Sequence, residues 1–183
     1  MAARVLCYDA AMEISRSRFA DVRGLRLHLR EWGEEGLPRL YLLHGWMDAS
    51  PSFQFVVDAL AHHWHVIAPD WRGFGRSAWC GVDGYWLPDH FADLDAILRP
   101  CEGTDDAPVR IVGHSMGGNV VMSYAGVRPA RIRRLVTQKV VAHTTLPALI
   151  AKREARPLQR VLICDSGAQS PSLLQLQYPM PVR

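Results

Sequence analysis

Three short apolar runs, residues 40–43, 65–68 and 109–112, alternate with stretches of helical periodicity, and this alternation constrains the fold more than any other feature of the chain. An apolar run without polar interruption is what a strand shows when both of its faces are buried. The first helical stretch follows Ser50 and Pro51, suited to an N-cap and a first helical position, and places Phe53, Val56, Val57 and Leu60 on one face. The second surrounds Pro88, with Leu87, Phe91, Leu94 and Leu98 at helical spacing, and the third spans residues 116–127 until Arg128-Pro129 stops it. Strands alternating with helices predict right-handed crossovers and an α/β fold, a mostly parallel sheet with helices on both faces. Residues 15–22 and 25–32 alternate around Gly24 and predict an antiparallel hairpin before it. A strand near 134–141, a helix near 147–156 and a short strand at 161–164 are expected to complete a core of residues 1–165. Residues 166–183, with three prolines and repeated Gln and Ser, read as an irregular tail.

Composition narrows the function. The 183 residues, about half of them apolar, suffice for one sizeable core. The net charge of +3, with no run of five like charges, gives no footprint for nucleic acid. Charge is uneven, however: residues 1–115 hold eleven basic and sixteen acidic side chains, a balance of −5, whereas residues 116–183 hold ten and two, a balance of +8. Cys7, Cys80, Cys101 and Cys164 form no close pair, so neither a metal site nor a disulfide framework is expected. The first residues lack a continuous apolar core, and no stretch approaches the roughly 18 apolar residues of a membrane span. A soluble, cytoplasmic protein without membrane contact is the expectation.

Chemistry concentrates at one turn. Gly113-His114-Ser115-Met116-Gly117 matches G-x-S-x-G between a buried strand and a helix, the context in which a serine is held on a strained turn with its hydroxyl exposed. Ser115 is the expected nucleophile. Gly113 and Gly117 leave room for backbone to approach, and His114 points away from the reacting side. The helix that starts at Met116 offers free amides and positive potential to an oxyanion. His44-Gly45-Trp46 ends the 40–43 strand, where a second donor must come from, so the amides of Trp46 and Met116 are assigned to the oxyanion hole. The His44 side chain reads as a structural hydrogen-bonding group. In the loop after residues 65–68, Asp70 and Arg72 are expected to fix the loop, Gly73 and Gly75 to allow tight turns, and Trp71 and Phe74 to wall a pocket.

The segments HGWMDAS, PDWRGFGRS, GYWLPDHFADLDAIL and GHSMGGNVVMSYAG, in that order, resemble the α/β-hydrolase superfamily, most nearly its serine hydrolase-like branch. The resemblance covers roughly residues 19–136. It implies a Ser, acid, His triad, no cofactor, a small-molecule acyl substrate such as an ester, and a cap domain for which no length remains. The family's order is serine, then acid, then histidine. After Ser115 the only acids are Glu154 and Asp165 and the only histidine is His143, so that order cannot be completed. Asp165, following the 161–164 strand, is the candidate acid, and His143, out of order, the candidate base. The resemblance stops near Val136, and the fold is expected to be C-terminally incomplete, with an open sheet edge along 109–112 and 134–141 through which copies could associate.

Overall fold

The computed structural model describes residues 12–60, 63–99 and 108–138, together with the backbone of two further strands at 161–165 and 174–176. β1 (Arg16–Val22) and β2 (Leu25–Trp32) form the expected antiparallel hairpin. Its two-residue turn, Arg23 and Gly24, holds both residues at positive φ (51° and 81°), the turn that matches strand twist. β3 (Arg39–Leu43), β4 (His65–Pro69), β5 (Val109–His114) and β6 (Ile132–Gln138) run parallel to their neighbours in the group. With β7 (Val161–Asp165) and β8 (Leu174–Leu176) they build an eight-stranded sheet in the order β1-β2-β4-β3-β5-β6-β7-β8.

Period-two alternation distributes the apolar runs between two cores. Leu40 and Leu42 of β3, with Val66 and Ala68 of β4, face Phe53 and Val57. Tyr41, Leu43 and Ile67 face the opposite way, against α2 (Leu87–Ile97) and α3 (Met116–Val127), through Leu94, Val120, Val121 and Tyr124. Helices therefore cover both faces, which is why these strands carry no polar alternation. Among the described residues, no helix is long and apolar enough to cross a membrane.

Three expectations are revised. The first helical stretch opens as a 3-10 turn, Ser50–Phe53, with Ala49 rather than Ser50 at the N-cap, before α1 (Gln54–Leu60) begins. That tighter turn rotates the face, so Val57 is buried while Val56 is 45% exposed. Residues 166–183 are not wholly irregular, since Leu174–Leu176 pairs antiparallel with β7. The open edge expected along β5 and β6 is closed: β5 lies between β3 and β6, and β7 occupies the outer side of β6. β7 runs antiparallel to β6. The helix expected near 147–156 lies outside the described residues.

One ion cluster ties these layers together. Arg72, in the loop after β4, forms two 2.6 Å hydrogen bonds to the carboxylate of Asp93 on α2, and donates to the Gly84 carbonyl at 2.7 Å. Arg23 in the hairpin turn reaches the same carboxylate at 3.2 Å. Asp93 is fully buried and Arg72 nearly so. The bond to Asp93 is the main cause that raises the guanidinium above its ordinary range. Removing one partner of such a pair strands the other charge. Asp93→Ala is expected to lower the unfolding free energy by about 3–5 kcal/mol, read as a fall in urea midpoint at unchanged slope; a loss below about 1 kcal/mol would mean that the cluster behaves as an exposed pair.

Candidate active site

β5 sits in the middle of the sheet, so its C-terminal end is a point on which several loops converge. There the chain reverses into α3 within one residue. Ser115 adopts φ 51° and ψ −113°, a region that side chains other than glycine rarely occupy. The reversal brings backbones together: a Cβ on Gly113 would lie 2.7 Å from the Gly118 Cα, and one on Gly117 would lie 2.7 Å from the His44 carbonyl oxygen. Only glycine fits at either position. Hydrogen bonds pin the turn on both sides, from the Ser115 amide to the Gln138 carbonyl (2.9 Å) and from the Asn119 amide to the Ser115 carbonyl (3.1 Å).

Gly45 lies against this turn: a Cβ built there would come within 3.0 Å of His114 Nδ1 and 3.1 Å of the Ser115 Cβ. Trp46 is the next residue along the chain from this contact. Met116 occupies the first position of α3, where helix amides have no intrahelical acceptor. The Trp46 ring is largely exposed and meets Phe74 edge-on at 5.2 Å, and Phe74 meets His44 at 5.7 Å. Phe74 thus packs between the Trp46 and His44 rings. Trp71, expected as a second wall, is instead fully buried, with its indole N–H donating to the His44 carbonyl at 2.9 Å.

His44 is fully buried and both of its nitrogens are engaged. Nδ1–H donates to the Gly45 carbonyl at 2.8 Å, and Nε2 accepts the Trp71 amide at 3.0 Å, which fixes a neutral ring. Burial holds its pKa below the ordinary value, outweighing the bond to Gly45. The ring joins the ends of β3 and β4. His114 lines a cavity of about 290 Å³ with Asp48, Phe53, Val112 and Gln138, and its ring also lies against Gly45.

Asp70 is the hub of the neighbouring loop. Its carboxylate accepts from the Ser50 amide (2.7 Å), the Arg76 amide (3.0 Å) and His28 Nδ1 (2.7 Å). Burial pushes the Asp70 carboxyl up, but these hydrogen bonds outweigh it and leave the pKa below the ordinary value. The Asp70 carbonyl accepts the Ser77 hydroxyl at 2.6 Å, and Gly73 and Gly75 supply the positive-φ turns of this loop. His28, fully buried on β2, is a residue that the sequence pattern alone did not mark. His90, also overlooked, is 1% exposed, packs edge-on against Trp71 at 5.5 Å, and has no hydrogen-bond partner on either nitrogen among the described residues.

The register decides the position of Asp165. It pairs with Arg134, four residues before Gln138, the residue whose carbonyl receives the Ser115 amide. At about 3.3 Å per residue this is about 13 Å down the sheet, away from the Ser115 end. Asp165 as the acid partner of Ser115 is therefore corrected. His143 lies outside the described residues. Among the described residues, no group of three or more His, Cys, Asp or Glu is placed to hold a metal ion.

A sequence model of the α/β hydrolase fold matches residues 38–158. The chain belongs to the α/β-hydrolase fold family. It is similar to lipase LipV of Mycobacterium tuberculosis, 35% identical over 113 residues that make up 60% of this chain and 40% of LipV. Epoxide hydrolase A of the same organism is 34% identical over 134 residues, 72% of this chain and 39% of that protein. The chain thus spans about two fifths of the length of these relatives. Among solved structures, an α/β hydrolase from Novosphingobium aromaticivorans superposes with a TM-score of 0.65 at 29% identity, covering 77% of this chain and 50% of that one.

Two buried α/β-hydrolase histidines set a pH dependence. Burial lowers the pKa of both His44 and His90 in the folded chain, so the unfolded chain takes up protons first as pH falls below about 6.5. Stability is expected to be level above that pH and to fall below it, each histidine contributing a slope of up to about 1.4 kcal/mol per pH unit. His90→Phe should flatten the decline by one histidine's share in urea titrations between pH 7 and 5. An unchanged slope would mean that His90 carries its proton in the folded chain.

Proposed function

We propose that the chain is a cofactor-independent serine hydrolase in which Ser115 attacks the carbonyl of an ester or related acyl compound. The observation that carries this reading is the strained Ser115 backbone, φ 51°, held between β5 and α3 by glycines that admit no side chain. A non-glycine residue in such a conformation costs about 1–3 kcal/mol and persists where the surroundings enforce it, which is common at active sites. The amides of Trp46 and Met116 receive the oxyanion, from the loop after β3 and from the start of α3. The aromatic wall of Trp46 and Phe74 accepts the apolar part of the substrate. His143 serves as base; it follows Gln138 by five residues, a reach of up to about 17 Å along an extended chain. Cys80 is a free thiol, in keeping with a cytoplasmic setting.

A second reading is favoured by the register of β7: with Asp165 at the far end of the sheet, the chain keeps the nucleophile turn and binds acyl ligands without turning them over. Activity separates the two readings. The chain is expected to hydrolyse 4-nitrophenyl butyrate well below the usual enzyme median of about 10 per second, because an incomplete triad leaves a residual rate of about 10³–10⁴ over water. Ser115→Ala should abolish it, and a fluorophosphonate probe should label Ser115 in the native chain. Absence of both turnover and labelling would leave the binding role.

A further inference from the structure

The hydrogen-bonded chain that begins at Asp70 does not end at His28. His28 Nε2 lies 2.9 Å from the hydroxyl oxygen of Ser17 on the edge strand β1, while Nδ1 lies 2.7 Å from Asp70 Oδ2. We propose that Ser17 is a second nucleophile, activated by the buried His28–Asp70 pair, which takes an acyl group from an activated ester bearing a negative charge. A serine hydroxyl, an imidazole and a carboxylate joined in this order is the arrangement that makes serine reactive, and it is recognised by geometry and role rather than by sequence position.

The directions of the hydrogen bonds agree with that role. Asp70, a carboxylate with further donors from two backbone amides, can only accept, so His28 Nδ1–H donates to it and Nε2 is left to accept the Ser17 proton. His28 and Asp70 are both fully buried, so their alignment is fixed by the fold, whereas Ser17 lies on the solvent side. Arg76 donates to the Ser17 oxygen at 2.9 Å and stabilises it as its proton leaves. Substrate class follows from what surrounds the hydroxyl. The guanidinium carbons of Arg26 and Arg76 lie 4.2 and 5.4 Å from the Phe19 ring centre, and that ring packs on His28 at 5.1 Å. Two cations around one aromatic ring suit an acyl donor with an apolar spacer and an anionic end. In the reaction the Ser17 oxygen bonds to the acyl carbon, the bond from that carbon to the leaving alkoxide or phenolate breaks, and the Ser17 proton passes through His28 Nε2 to the leaving group. Nothing is oxidised or reduced.

The test uses the full chain carrying Ser115→Ala, which removes the competing nucleophile, and 4-nitrophenyl glutarate as the anionic activated ester. Acylation is followed by peptide mass spectrometry. Ser52 is the internal control, an exposed serine whose hydroxyl faces Asp48 and a carbonyl instead of a histidine. Ser17 is expected to acylate about 10²-fold faster than Ser52, the lower range of positioned general-base catalysis. Arg76→Gln should slow it severalfold with this ester and less with neutral 4-nitrophenyl acetate. His28→Gln, accepted only with a native near-ultraviolet dichroism spectrum, should bring Ser17 down to the rate of Ser52. Similar rates at Ser17 and Ser52, or fast acylation that survives His28→Gln, would overturn the proposal whatever Ser115 does.

Discussion

The approach of backbone to backbone at the end of β5 is the constraint on which the rest of the structure depends. For Ser115 to reverse direction in one residue, Gly113 must touch the start of α3 and Gly117 must touch the carbonyls at the end of β3. These contacts fix how close α3 lies to the sheet, and hence which residues of the two form the core around Val120, Val121 and Tyr124. They also fix β3 beside β5, because a sheet spacing of about 4.8 Å leaves no slack between the two strand ends. The strained conformation is the local cost; the burial of a whole helix face offsets it.

A second level of organisation holds the loops above this frame. Asp70 gathers β2, the start of the 3-10 turn and its own loop by accepting from three directions, and Arg72, two residues on, fixes that loop to α2. The two ions divide the work: one organises the hairpin side, the other the helix side. His44 closes the set by joining the ends of β3 and β4 through a neutral ring. Each of these groups is buried and each is satisfied, the condition under which burying a polar group is tolerated.

What the sequence disclosed and what it hid follow from how far away the deciding partner lies. Strands β3, β4 and β5 were legible because burial on both faces leaves a continuous apolar run, and α3 was legible to the residue because a glycine-flanked serine and Arg128-Pro129 bound it. The Ser115 turn was legible because its steric demand falls on its own neighbours in sequence. His28 and His90 were hidden because their burial is decided by residues tens of positions away. The direction of β7 was hidden too, since apolar residues in a strand read the same in either direction, and with it went the position of Asp165. Leu174–Leu176 is only three residues long, too short to outweigh the prolines around it.

The single bond from the Ser115 amide to the Gln138 carbonyl has a consequence in time. Amides in the interior of a sheet exchange with solvent deuterium only when their own strand pair separates, and strands near an edge separate more often than central ones. Ser115 belongs to the central strand's turn but borrows its acceptor from β6, one step nearer the edge. Its deuterium clock is therefore set by the undocking of β6, faster than that of the β3–β5 ladder beneath it. The Ser115 turn is as durable as its outer neighbour, and no more.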